Sequence, residues 1–218
     1  MLKADFHIHT GYSMDCNTSL NELIERCQKL GINCIAVADH GTTEGAIKMQ
    51  KLAPFTVIVA EEILTPDGEI MGMFLKETIP SGVSVSEAIS QIRAQDGLVC
   101  IPHPFDTIRG SALGGKIVEE IAKQIDVLEV LNARCVFQAN TEKAFKFARK
   151  HSITQSAGSD AHTLLEIGNA HVEMPEFTGK DDFLQALRQG KIGGHRSNPL
   201  VHVNSIWNRL QTRISRPD

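Results

Sequence analysis

The sequence predicts an α/β protein in which buried strands alternate with helices along most of the chain. Short, continuously apolar runs at residues 33–39 and 98–104 are typical of strands that are covered on both faces. Helical segments with recognisable capping residues follow several of these runs. Polar residues also gather where the strands end. These observations favour a parallel α/β barrel or a doubly wound sheet.

The first half of the chain supplies four predicted strands and two helices. The strands span residues 2–9, 33–39, 55–64 and 69–75. The helix over 18–31 begins at the N-cap Ser19, has Glu22 three residues later and ends at Gly31. A weaker helix covers 42–52, and a turn at 65–68 returns the chain into its fourth strand.

The second half continues the alternation. Helices are predicted over 84–97, 116–125 and 140–152, and strands over 98–104, 126–133 and 153–162. Ser84 and Glu87 repeat the capping pattern at the start of the first of these helices. Near the C-terminus five apolar residues recur at helical spacing: Val203, Ile206, Trp207, Leu210 and Ile214. A helix that seals the barrel is the first interpretation, a homodimer contact the second and membrane association the third.

Composition indicates one cytoplasmic domain over residues 1–218, with the motif-bearing barrel at about 1–175 and a basic helical segment at about 180–218 closing it. No apolar run is long enough to span a membrane, and the N-terminus lacks a signal-peptide pattern. Five cysteines without a CxxC pair are typical of reduced thiols. A net charge of −4 gives no global attraction to nucleic acid. The basic segment is a solvated tail or, alternatively, a phosphate-contacting patch.

Candidate metal ligands stand at the carboxyl end of almost every predicted strand, where barrel enzymes gather their chemistry. His7 and His9 lie two residues apart, so both imidazoles share one face of a strand and are able to bind one ion. Asp160 and His162 repeat this spacing. The full set of candidates is His7, His9, Asp15, His40, Glu62, Glu69, His103, Asp160 and His162.

The motifs DFHIHTGYSMD, AVADHG, EEI, IPHPFD and GSDAH resemble those of the PHP (polymerase and histidinol phosphatase) family. The resemblance covers roughly residues 1–175 and implies a distorted seven-stranded β/α barrel with two or three divalent ions, Zn, Mn or Fe. By this resemblance His7, His9, Asp160 and Glu62 bind the first ion. His103 and Glu62 bind the second, and Asp15, His40 and His162 bind the third.

The chain departs from the family pattern at one ligand. Many relatives have a histidine at the start of the strand after the bridging glutamate, and here Glu69 stands there. A carboxylate also binds divalent ions, so we expect Glu69 to be a ligand of harder character. Asp39 is expected to orient a histidine rather than to bind an ion.

The resemblance implies a hydrolase that attacks phosphate esters with a metal-bound hydroxide, with Asp160, His103 and Arg109 as catalytic residues. Arg109 follows a ligand on a loop over the barrel mouth, where its guanidinium can bind a phosphate. The expected partner is a phosphorylated small molecule, namely a nucleoside 3′,5′-bisphosphate or a short 5′-phosphorylated oligonucleotide. Histidinol phosphate and phosphotyrosine are alternative substrates, and a non-catalytic, metal-stabilised module is the alternative of another class.

Overall fold

The computed structural model describes residues 1–198. Nine strands form a single sheet with the order β7-β6-β5-β4-β3-β2-β1-β8-β9. The strands are β1 (Leu2–Ile8), β2 (Cys34–Val37), β3 (Thr56–Thr65), β4 (Gly68–Met73), β5 (Leu98–Ile101), β6 (Val127–Asn132), β7 (Thr154–Gly158), β8 (Ala170–Met174) and β9 (Lys191–Gly194). The helices are α1 (Leu20–Lys29), α2 (Glu44–Leu52), α3 (Val85–Ala94), α4 (Gly115–Glu120), α5 (Gln138–His151) and α6 (Lys180–Arg188).

The predicted seven-stranded barrel is confirmed in strands β1–β7, which curl until the end of β7 meets β1. A parallel bridge joins Ile8 to Ala161, the amide of Asp160 donates to the carbonyl of His7 at 2.7 Å, and the amide of His9 donates to Ala161 at 3.0 Å. Within β1–β7 the paired strands are parallel except at β4, which is antiparallel to both β3 and β5, and outside the barrel β8 is antiparallel to β1 and to β9. The barrel is therefore distorted rather than uniformly parallel.

The strands alternate between an apolar inner face and an outer face that packs against the helices. Inward positions combine small residues, among them Ala4, Ala36, Ala60 and Ala157, with larger ones such as Ile58 and Met71. The outward positions of the same strands are bulky and aliphatic, and they pack against the helices. The inward-pointing residues near the carboxyl ends of the strands are polar, and the candidate metal ligands lie at this end of the interior.

Helix α6 closes the opposite end of the barrel. Phe183 is fully buried, and its ring packs edge-on against Phe6, Phe74 and Phe177, with ring centroids 5.0–5.5 Å apart. Residues 180–188, which belong to the segment expected to close the barrel, form a helix at this end. Residues 191–194 form strand β9, where a helical segment was expected, because they pair with β8. The predicted C-terminal helix lies outside the described residues.

Helix starts follow the predicted capping chemistry. Ser19 and Glu22 form a reciprocal capping box at α1, and the side chain of Ser84 accepts from the amide of Glu87 at α3. Among the described residues, no helix is long and apolar enough to cross a membrane.

Candidate metal centre

A β-bulge turns the two histidines of β1 into the barrel. Asp5 of β1 pairs with Ile35 of β2, and Ile8 pairs with Val37. Between these pairs β1 has two residues where β2 has one. The extra residue reverses the inside–outside alternation, so Phe6 stays in the apolar interior while the next residue, His7, also points inward. His9 follows on the same face, and Nε2 of His9 lies 3.2 Å from Nε2 of His7. Two imidazole nitrogens this close share either a proton or a cation.

Glu62 lies at the centre of the cluster. Its Oε2 atom is 3.4 Å from Nε2 of His7, 3.5 Å from Nε2 of His9 and 3.4 Å from Nδ1 of His40. Its other oxygen, Oε1, is 2.7 Å from Nε2 of His103. Strand alternation places Glu62 inside the barrel, in line with Ala60, whereas Glu61 faces outward and accepts from the amide of Ile79. Of these two neighbouring glutamates, Glu62, the expected ligand, is the one that points into the cluster.

Asp15 forms a second part of the cluster at the rim. Its Oδ2 atom is 3.4 Å from Nε2 of His40 and 3.2 Å from Nε2 of His162. The loop that carries Asp15 is held by Ser13, whose hydroxyl donates to Oδ1 of Asp15 at 2.8 Å. His40 reaches Asp15 with one ring nitrogen and Glu62 with the other, so its ring joins the rim to the centre.

Glu69 points into the same cluster, although the family pattern has histidine there. Its Oε1 atom is 3.7 Å from Nδ1 of His40, and its Oε2 atom is 3.5 Å from Nε2 of His103. The side chain is buried at the start of β4, directly beside the end of β3. Glu69 is therefore a buried member of the cluster and not an exposed residue of the turn that precedes it.

Asp160 divides its two oxygens between different partners. Oδ2 accepts from Arg109 at 2.5 Å and from Nδ2 of Asn132 at 3.2 Å. Oδ1 faces Nε2 of His9 at 3.4 Å and Nδ1 of His162 at 3.5 Å. Burial alone would raise the pKa of Asp160, but the charge of Arg109 and the imidazole of His7 hold this pKa well below its usual range.

The electrostatic field of the cluster attracts cations. Burial alone would raise the pKa of Glu62, but the imidazoles of His7 and His40 hold it well below its usual range. Burial and the charge of Glu62 raise the pKa of Glu69. Burial lowers the pKa of His40, yet the carboxylates around it, Glu62 first, raise that pKa to about 9. Protons and metal ions therefore compete for the same nitrogen atoms.

Buried atoms without partners test whether the residues suit divalent ions. Within residues 1–198, no hydrogen-bond partner is found for Oε2 of Glu62, Oε2 of Glu69 or Oδ1 of Asp160. Leaving buried carboxylate oxygens unpaired is costly, and metal coordination removes that cost. Three overlapping sets of ligand atoms each lie within 4.8 Å: His9 with Asp15, His40 and His162; His7 with His9 and Glu62; and His40 with Glu62 and Glu69. Imidazole and carboxylate ligands at these separations fit Zn, Mn or Fe.

The backbone is strained at two of the candidate ligands. His103 has φ +30° and Asp160 has φ +55°, both in the left-handed region that residues with a Cβ rarely adopt. Such conformations cost about 1–3 kcal/mol each and persist where the surrounding structure imposes them. Each residue comes two positions after the end of a strand, β5 or β7, at the open end of the barrel.

The structure brings all nine predicted ligands and Arg109 together, but the cluster has further polar neighbours that the prediction omits. These are Glu129, Asn132, Arg134 and Glu166, all buried around the cluster. A signal for Glu129 exists, because it is a carboxylate between the apolar residues Leu128 and Val130 in the middle of a strand. The carboxylate of Asp39 accepts from the amide and hydroxyl of Thr10, at 2.6 and 2.7 Å, and so holds a loop where a histidine partner was expected.

Comparisons with known proteins agree with this arrangement. The profile of the PHP domain matches residues 5–57, and that of the PHP-associated region matches residues 138–192. The uncharacterized protein MJ0417 of Methanocaldococcus jannaschii is 35% identical over 198 residues, which cover 86% of this chain and 79% of that protein.

Two solved structures share the fold. One is a two-domain protein of Bacteroides vulgatus that contains a predicted PHP-like metal-dependent phosphoesterase, with a TM-score of 0.69 and 16% identity. The match covers 89% of this chain and 65% of that one, so this chain spans about two thirds of that protein. The other is PsfC of Pseudomonas syringae, with a TM-score of 0.68, 13% identity and coverage of 96% and 98%. At these identities the likeness shows the barrel fold alone. With its profile matches, its archaeal relative and this barrel, the chain belongs to the PHP family.

Proposed function

We propose that the protein is a metal-dependent hydrolase of phosphate esters, and that its substrates are nucleotides. The observation that carries the proposal is the buried group of carboxylate oxygens without hydrogen-bond partners, set among five imidazoles beside one arginine. His7, His9, Glu62 and Asp160 would hold one ion, His103, Glu62 and Glu69 a second, and Asp15, His40 and His162 a third. Bound ions in such a site act as Lewis acids and lower the pKa of a nearby water.

The charge of the site favours a phosphate ligand. Two or three divalent ions outweigh or balance the four carboxylates Asp15, Glu62, Glu69 and Asp160, and Arg109 adds a further positive charge. The site with its ions and Arg109 would therefore carry a net positive charge, and an anion with two negative charges is a natural partner for it. Arg109 reaches Asp160 from the loop that follows β5, so its guanidinium lies at the edge of the ions. There it would bind and orient the phosphate through parallel hydrogen bonds.

Roles for the three residues expected to be catalytic follow from their positions. Asp160 and His103 would act as ligands of the ions, whereas Arg109 would bind the phosphate directly. The buried imidazoles all face carboxylates, so the chain places its polar groups to position charge rather than to carry a proton. A nucleotide-sized ligand is preferred to long nucleic acid because the net charge of −4 gives no general attraction to a polyanion.

The experiment measures hydrolysis by the full chain after loading with Mn²⁺, Zn²⁺ or Fe²⁺ in turn. The substrates are a nucleoside 3′,5′-bisphosphate, a short 5′-phosphorylated oligonucleotide, histidinol phosphate and phosphotyrosine, and the readout is release of phosphate or mononucleotide. We expect the first two to be hydrolysed fastest. Faster turnover of histidinol phosphate or phosphotyrosine would assign the site to that substrate and overturn the nucleotide assignment.

Two variants control the assay. Asp160→Asn should lower activity by roughly 100-fold or more, since even loss of an outer partner of a metal ligand costs about 10–100-fold. Asp126→Asn removes a carboxylate outside the cluster, one that contacts the amide of Val99 and Arg93, and should leave the rate unchanged. Full activity in Asp160→Asn would refute the site. Binding of ions without hydrolysis of any substrate would instead support the non-catalytic module.

A further inference from the structure

Glu129 is a buried carboxylate next to the candidate metal centre, and it belongs to none of the three ligand sets. Its side chain is only 3% exposed, on the inner face of β6. Oε1 accepts from Nδ1 of His7 at 3.1 Å. Oε2 accepts from the backbone amide of His103 at 2.6 Å and from Nδ2 of Asn132 at 2.9 Å. Both oxygens are therefore occupied by donors from the chain itself.

The contact with His7 decides which ring nitrogen can bind an ion. A carboxylate only accepts hydrogen bonds, so Nδ1 of His7 must carry the proton that it donates to Glu129. The opposite nitrogen, Nε2, then turns its lone pair toward Oε2 of Glu62, 3.4 Å away. A histidine that ligates a metal commonly has such an outer partner, which fixes the ring and increases its basicity.

The same carboxylate reaches two further ligands. Its bond to the amide of His103 holds a residue whose φ of +30° needs external support. Through Asn132, which donates to Oδ2 of Asp160 as well, it also connects to the ligand that follows β7. Glu129 thus touches groups that orient ligands from β1, β5 and β7.

We propose that Glu129 is a positioning residue that sets the tautomer of His7 and holds His103 and Asp160 in register for metal binding. This inference rests on the proposed function, because it assumes that the cluster binds divalent ions. It assigns to Glu129 a role that is separate from ligation: the carboxylate acts through the ligands, and its loss should weaken metal affinity without removing a ligand.

The test measures Mn²⁺ and Zn²⁺ affinity of the purified full chain by competition with a chelator. Glu129→Gln should weaken affinity by roughly 10- to 100-fold, because the amide no longer offers an acceptor to every donor around it. Glu61→Gln is the matched control, since Glu61 is an equally buried carboxylate that faces outward, and its affinity should equal that of the wild type. Equal affinity in wild type and Glu129→Gln would overturn the inference. A wild type that binds no ion would overturn the proposed function instead.

A spectroscopic readout separates positioning from general destabilisation. In the Zn²⁺-loaded, ¹⁵N-histidine-labelled protein, the Nδ1 proton of His7 should give a signal protected from exchange with water. That protection should be lost in Glu129→Gln and retained in Glu61→Gln. A protected signal in Glu129→Gln would contradict the assigned contact. Should Glu129→Gln not fold, Glu129→Asp keeps the charge but withdraws it from His7, and the same loss of affinity and protection is expected.

Discussion

The guanidinium of Arg109 lies 2.5 Å from Oδ2 of Asp160, and this contact joins the loop after β5 to the loop after β7 across the mouth of the barrel. The carboxylate of Asp160 is fully buried, so its charge needs a partner on each oxygen. Arg109 satisfies one oxygen, and the other is directed at His9 and His162. One carboxylate is thereby able to serve an arginine and a metal ion together.

Replacing Arg109 with alanine should weaken substrate binding. A hydrogen bond to a charged group contributes about 1.5–3 kcal/mol, which corresponds to roughly a 10- to 100-fold loss in kcat/KM. We expect most of the loss in KM, because the proposed contact between the guanidinium and the phosphate would exist both before and after reaction. Arg93→Ala, which removes an arginine paired with Asp126 on the surface, is the control. Steady-state kinetics that do not change in Arg109→Ala would place this arginine outside the substrate site.

Substitutions of Glu69 should alter the choice of metal. Glu69→Gln removes the charge that lies 3.5 Å from Nε2 of His103, and we expect the protein to retain one ion fewer per chain. Glu69→His restores the family's ligand type and should keep the wild-type number of ions. Because imidazole is softer than carboxylate, the bound Zn²⁺-to-Mn²⁺ ratio should rise after dialysis against an equal mixture. Elemental analysis measures both results. Identical metal content in all three proteins would exclude Glu69 as a ligand.

Metal removal should destabilise the folded chain. A ligand at 100 times its dissociation constant stabilises the native state by about 2.7 kcal/mol. For a chain of this length this corresponds to a rise in Tm of roughly 5–10 °C. Thermal unfolding with Mn²⁺ and with excess chelator measures the difference. The shift should shrink in Asp160→Asn, and an equal shift in that variant would show that the ions stabilise the protein from elsewhere.

Gly158 should tolerate no side chain. A Cβ at this position would lie 2.3 Å from Cβ of His7 and 2.7 Å from Oε1 of Glu129. Gly158→Ala therefore has to push β7 away from β1, and overpacking of this kind typically costs about 1–3 kcal/mol. We expect lower stability in chemical denaturation together with weaker metal binding. Gly114→Ala, where the added Cβ meets nothing within 4 Å, is the control. Wild-type metal affinity in Gly158→Ala would show that the site does not depend on this close approach.

The ligands could be predicted from the sequence because the geometry of a barrel brings the carboxyl ends of its strands together, whatever their separation along the chain. His103 and Asp160 are separated by 57 positions in the sequence, yet each follows a strand and each side chain reaches the interior of the barrel. Glu69 is expected as a ligand for a different reason, because it stands at the position where the PHP family resemblance places a histidine ligand.

Other features depend on backbone detail that residue patterns do not encode. Regular alternation along β1 would place Phe6 and His7 on opposite faces of the strand. The bulge between Asp5 and Ile8 instead lets both side chains point into the barrel. Glu129 was overlooked because a charged residue within an apolar strand indicates a partner but not which partner. The sequence predicts helix where β9 forms, because the partner strand β8 has no motif that identifies it.

The closure between β1 and the end of β7 has a consequence for the order in which the molecule is built. The hydrogen bonds of the closure, from Asp160 to the carbonyl of His7 and from His9 to that of Ala161, belong to residues of the metal cluster themselves. The first and last strands of the barrel must meet before these bonds form, and contacts between distant parts of a chain are slow to establish. Two of the three ligand sets, His7 with His9 and Glu62 and His40 with Glu62 and Glu69, lie within the first 69 residues, whereas the third also needs His162. During synthesis the complete cluster can therefore form only after residue 162 has left the ribosome, and completion of the site is a late event for the nascent chain.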